Sequence, residues 1–178
     1  MTAAAHRRDL LSLDDWRALG EDASQRYELQ EGVLIVSPRP RQRHQNVLAG
    51  LIVQIAPQVP NGVRVTPETD VVIDTREPAT VRVPDLVLCA GEEDATLPAV
   101  DVLVAIEILS PGTCRVDLVM KRSEYADAGI EHYWILDPDE RRMEVLTLVD
   151  GGYVGGWVDG VFTISSPFAV TIDLDTLG

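Results

Sequence analysis

The stretch Val102-Leu103-Val104-Ala105-Ile106 carries no polar side chain, so a strand running through it buries both of its faces. A strand covered on both sides is the central strand of a layered α/β arrangement, and the flanking periodicities supply the other elements. Ser12-Leu13-Asp14-Asp15 has the form of a capping box and predicts a short helix through Trp16 to about Leu19. Arg26-Tyr27-Glu28-Leu29 and Val33-Leu34-Ile35-Val36 flank Gln30-Glu31-Gly32 and predict an N-terminal β-hairpin. Val47, Leu48, Leu51, Ile52 and Ile55 recur at helical spacing within 42–58 and define one buried face. The β-branched runs 63–73 and 81–88 read as paired antiparallel strands. After Ser110-Pro111-Gly112-Thr113 a second helix is expected to reach about Ala128, with Gly129 as its left-handed cap. Strands at 132–136 and 143–149 follow, and shorter ones through Tyr153, Phe162 and Val170 complete an α/β fold around a mixed sheet flanked by helices.

At 178 residues the chain suits one packed domain, 1–178, with 1–10 flexible. No apolar run reaches the roughly 18–20 residues of a membrane span, and the first ten residues lack the core of a signal peptide, so a cytoplasmic protein is expected. Cys89 and Cys114 have no partners at zinc-ligand spacing and read as free thiols. Trp134, Trp157 and Phe162 serve either core packing or a homodimer surface.

Glu107 closes the apolar strand, where a carboxylate without a partner would cost several kcal/mol. Asp85, in Val83-Pro84-Asp85-Leu86-Val87, poses a milder form of the same problem. If their strands are adjacent, a divalent cation between them neutralises both, and hard oxygen ligands suit Mg2+ or Mn2+, with the Ile108 carbonyl as a further ligand. A salt bridge to an arginine is the structural alternative for either acid. Lys121 is the one lysine beside fourteen arginines, which points either to a position that needs a compact ammonium or to a chance survivor on the surface. Asp117, Lys121 and Tyr125 share a helix stripe if the segment is α-helical.

Pro84-Asp85, followed twenty-two residues later by Glu107-Ile108-Leu109-Ser110-Pro111, resembles the PD-(D/E)XK superfamily, and specifically its Uma-type putative restriction endonuclease family. Arg26-Tyr27-Glu28-Leu29, Glu31-Gly32, Ser37-Pro38, His44, Asp117 to Lys121, Tyr125, Ala128-Gly129, Tyr133-Trp134 and Asp137-Pro138 extend the resemblance. It implies a restriction-endonuclease-like fold and a metal-dependent endonuclease acting on DNA, with Asp85 and Glu107 as metal ligands. Leu109 stands where the superfamily pattern has its lysine, so Lys121 is expected to supply the amine from the following helix. Glu28, His44 and Glu68 are secondary candidates, Glu68 either as an additional ligand or as a strand-end charge. The net charge of −14 runs against a basic nucleic-acid footprint, and Arg39, Arg41 and Arg43 read either as a local phosphate-binding patch or as a solvated helix entry. A non-catalytic binding or assembly module with the same fold, and a hydrolase of another phosphate ester, stay open at this point.

Overall fold

The computed structural model describes residues 10–20, 25–38, 40–91, 96–110 and 116–177. In chain order these form α1 (Leu13–Ala18), β1 (Gln25–Gln30), β2 (Val33–Pro38), α2 (Gln42–Ile55), β3 (Arg64–Pro67), β4 (Val71–Asp74), β5 (Thr80–Arg82) and β6 (Leu86–Cys89). They continue with β7 (Leu97–Pro98), β8 (Val102–Ile108), α3 (Arg122–Asp127), β9 (His132–Asp137), β10 (Arg142–Val149), β11 (Gly152–Asp159), β12 (Val161–Ile164) and β13 (Val170–Asp173). Among these residues no helix is long and apolar enough to cross a membrane.

The strands build a six-stranded sheet, β11-β10-β9-β8-β6-β3, a five-stranded sheet, β2-β1-β5-β4-β7, and the hairpin β12-β13. Both larger sheets are mixed: β8 and β9 run parallel in the first, β4 and β7 in the second, and the other neighbours are antiparallel. As its two apolar faces require, β8 lies inside the larger sheet, with β6 and β9 beside it. Val104, Ile106 and Ile108 pack with Val47, Leu48, Leu51 and Ile55 of α2 and with Val170 and Ile172. Each such side chain contributes about 1.5–3 kcal/mol by leaving water. Ala105 belongs to the opposite face with Tyr125, Ile130, Tyr133 and Leu146. Glu107, two residues further, shares that second face because successive side chains of a strand alternate.

The capping box of α1 is present, the Ser12 hydroxyl accepting from the Asp15 amide. The hairpin turns through Glu31 (φ 46°) and Gly32 (φ 75°), the pair of positive dihedrals that a two-residue hairpin loop needs. A β-carbon on Gly32 would also meet Leu10 Cβ at 2.6 Å.

Two expectations change. The runs 63–73 and 81–88 do pair antiparallel, but each is broken, so that β3 pairs with β6 in one sheet and β4 with β5 in the other. Pro84, which has no amide to donate, and Glu68, at φ 47°, sit at the two breaks. The chain therefore crosses between the sheets at 68–70 and again at 83–85, where the Glu68 amide donates to the Asp85 carbonyl at 3.2 Å. The second helix also differs: Val116–Lys121 is a π-helical turn, and only Arg122–Asp127 is α-helical. Gly129 caps it at φ 78°, as expected. Of the thiols, Cys89 is free and buried, while Cys114 lies outside the described residues.

Candidate active site

Leu86 of β6 faces Ile106 of β8. One step further along the same antiparallel register, at the crossing between the sheets, Asp85 comes level with Glu107. Both side chains are sealed from water, at 2% exposure each. Asp85 Oδ2 accepts the Ile108 amide at 2.7 Å, and Oδ1 lies 2.6 Å from Arg26 Nη1. His44 Nε2 stands 3.3 Å from the same oxygen, off the line of a hydrogen bond. Burial pushes the Asp85 carboxyl up, but contact with His44, the Arg26 charge and the Ile108 amide outweigh it and hold it at about 2. Asp85 is therefore a carboxylate at neutral pH.

Glu107 Oε1 accepts from Lys121 Nζ at 2.8 Å and from the Tyr125 hydroxyl at 2.9 Å. Those two donors sit four residues apart, where the π-helical turn passes into α3. Burial, reinforced by the Glu107 charge, raises the Tyr125 phenol far above its ordinary value, so it stays a donor. Lys121 also reaches Glu28 Oε1, 3.1 Å away on β1. Burial works against the Glu28 charge, yet Lys121, Arg82 and Arg26 together keep its carboxyl below the usual range. Arg82 is 1% exposed and fully engaged: Nε and Nη2 bind Glu124 at 2.6 and 2.7 Å, and Nη1 binds Glu28 at 3.0 Å.

Thus the five-stranded sheet contributes Arg26, Glu28 and Arg82, the crossing between the sheets contributes Asp85, the six-stranded sheet contributes Glu107, and the helical segment contributes Lys121, Glu124 and Tyr125. The cluster fills the seam between the sheets. Asp85, Glu107, Lys121, Glu28 and His44 come together there. Glu68 does not join them through its side chain, which is exposed and bonds Gln45 Nε2 at 3.3 Å. The Ile108 amide faces Asp85, and its carbonyl remains only an expected ligand. Arg41 is exposed at the N-terminus of α2, Arg43 is paired with Asp139 at 2.5 Å, and Arg39 lies outside the described residues, as does the Asp117 side chain. Arg82 and Glu124 were not anticipated. The signal for Arg82 was present, since a cation inside the β-branched run 81–88 is the same anomaly that singled out Glu107.

Among the described residues no group of three or more His, Cys, Asp or Glu side chains is arranged to hold a metal ion. The Asp85–Glu107 pair nevertheless has the chemistry of a cation seat: its donors are hard oxygens, and the positive group now spanning it is the Arg26 guanidinium, 2.6 Å from Asp85 and 4.0 Å from Glu107.

The sequence signature of the Uma2 family, described as a putative restriction endonuclease, matches residues 10–169. No curated protein matches the chain. Among solved structures, the fold is similar to the crystal structure of a putative nuclease belonging to DUF820 from Anabaena variabilis, with a TM-score of 0.74. The two are 21% identical, and the match covers 94% of this chain and 97% of that one.

Proposed function

Because the chain belongs to the Uma2 family of putative restriction endonucleases, we propose that it is a divalent-metal-dependent nuclease that hydrolyses phosphodiester bonds in DNA. The observation that carries this reading is the convergence of Asp85, Glu107 and Lys121 in one sealed cluster, with Asp85 just before β6, Glu107 on the neighbouring β8 and Lys121 on the helical segment. Asp85 and Glu107 would hold Mg2+ or Mn2+, whose Lewis acidity at the phosphate and effect on water acidity meet the two main demands of the reaction. Hydrolysis joins a water oxygen to phosphorus, breaks the bond to the leaving oxygen, and delivers a proton to that oxygen.

The residues divide the remaining work. Asp85, ionised throughout the neutral range, acts as a ligand and not as a proton donor. The Ile108 amide and the seam backbone fix its orientation. Lys121, anchored by Glu28 and Glu107, presents positive charge where negative charge grows on the phosphate. Tyr125 holds Glu107 Oε1. At the start of α2, His44 beside Asp85 and the exposed Arg41 would serve as contacts for a phosphate.

Single-turnover cleavage of duplex and single-stranded DNA with Mg2+, with Mn2+ and with chelator tests the reading. Asp85→Asn should abolish metal-dependent cleavage, and Lys121→Arg should lower it by about two to three orders of magnitude, because a planar guanidinium does not replace the ammonium between Glu28 and Glu107. Absence of cleavage by the parent protein under every metal condition, with DNA still bound, would replace the enzyme by a binding module.

A further inference from the structure

We propose that Arg26 occupies the metal seat of the ion-free protein, and that the protein's metal affinity is set by competition between the incoming cation and this guanidinium. The proposal rests on the reading above, that Asp85 and Glu107 hold the metal.

Two arginines of the same cluster behave differently. Arg82 directs Nε, Nη1 and Nη2 at carboxylate oxygens of Glu124 and Glu28, all within 3.0 Å, as expected of a guanidinium in a place shaped for it. Arg26 does not. Its Nη1 is well placed on Asp85 Oδ1, but Nη2 approaches Glu107 Oε2 only to 4.0 Å and donates instead to the Val83 carbonyl. Its Nε is buried and has no hydrogen-bond partner. An unsatisfied buried donor costs free energy for as long as the side chain stays in place.

The charges explain why it stays nonetheless. Among the described residues the carboxylates Glu28, Asp85, Glu107 and Glu124 meet the fixed cations Arg26, Arg82 and Lys121, and Arg26 spans the two that no other fixed cation joins. A divalent ion between Asp85 and Glu107 supplies the same service with twice the charge and no orphaned donor. With 18% of its side chain exposed, Arg26 has a route back to water. The chain has thus placed a removable cation where an added one would act, so ion entry and the departure of the guanidinium are one exchange.

Isothermal titration of the metal-free protein with MnCl2, repeated with MgCl2, tests this without any cleavage assay. Arg26→Gln should bind Mn2+ about tenfold to a hundredfold more tightly than the parent, the range expected when one charged hydrogen bond no longer has to be broken. Its metal-free melting temperature should fall, and the rise on adding Mn2+ should exceed the parent's. Arg26→Lys should also bind Mn2+ more tightly than the parent, by a smaller factor, because a compact ammonium cannot span both carboxylates; it carries the test if the Gln variant does not fold. Equal or weaker Mn2+ binding by the Arg26 variants, with binding lost in the Asp85→Asn, Glu107→Gln double variant, would overturn the competition and leave the functional reading standing. Full Mn2+ affinity in that double variant would overturn both.

Discussion

At the scale of single residues, Lys121 shows how composition can mark a candidate while its environment stays hidden. Its isolation among fourteen arginines marks it in the sequence, but a helix position with no apolar constraint reads as a surface charge whose loss costs about 0.5 kcal/mol. In the fold it is 4% exposed between Glu28 and Glu107, and the first of these lies on a strand 93 positions earlier. That proximity is a product of topology, which no local pattern encodes. Lys121→Met should therefore destabilise the metal-free protein by about 2–4 kcal/mol, because two buried carboxylates lose their shared cation. Urea unfolding measures this, and a change within about 0.5 kcal/mol would return Lys121 to the surface class. Glu107 and Asp85, in contrast, were legible because a carboxylate in an apolar strand is anomalous whatever surrounds it.

At the scale of elements, periodicity located α1, the hairpin, α2, β8 and β9 well, since each has one environment along its length. It failed where one apolar run serves two sheets: 63–73 and 81–88 look continuous, and only Glu68 and Pro84 hint at the crossings. The hairpin β12-β13 is attached in a way the sequence also hides. Buried His132 of β9 has Nδ1 3.2 Å from Thr147 Oγ of β10 and Nε2 3.2 Å from Ser166 Oγ in the loop between β12 and β13. Burial lowers the imidazole pKa, with Glu131 partly opposing it. The unfolded chain thus takes up this proton at a higher pH than the folded one. Stability from neutral His132 is complete above the ordinary value of about 6.5 and is lost as pH falls through the depressed one. Between pH 7.5 and 5.5 the parent's melting temperature should drop more than that of His132→Gln. Parallel pH dependence of the two would detach His132 from this behaviour.

For the molecule as a whole, the net charge of −14 opposes a polyanion, yet at physiological salt charges more than about 8 Å from a bound phosphate are largely screened. Local arginines then decide. Arg41 is exposed at the start of α2, whereas Arg43 is already paired with Asp139 and its carboxylate competes with phosphate. Arg41→Gln should reduce the slope of log affinity against log salt by about 0.9, and Asp139→Asn should tighten DNA binding at low salt by freeing Arg43. Fluorescence anisotropy across a salt series checks both, and unchanged slopes would move the DNA to another face. The seam between the sheets also has a consequence in time. Arg26 and Asp85 are 59 positions apart, and Arg82 and Glu124 are 42 apart, so the charged cluster closes only after distant strands have docked. During synthesis, Glu28, Arg82, Asp85 and Glu107 leave the ribosome well before Glu124 does. A nascent chain carries these charges in water until the strands and helix that bury them have docked.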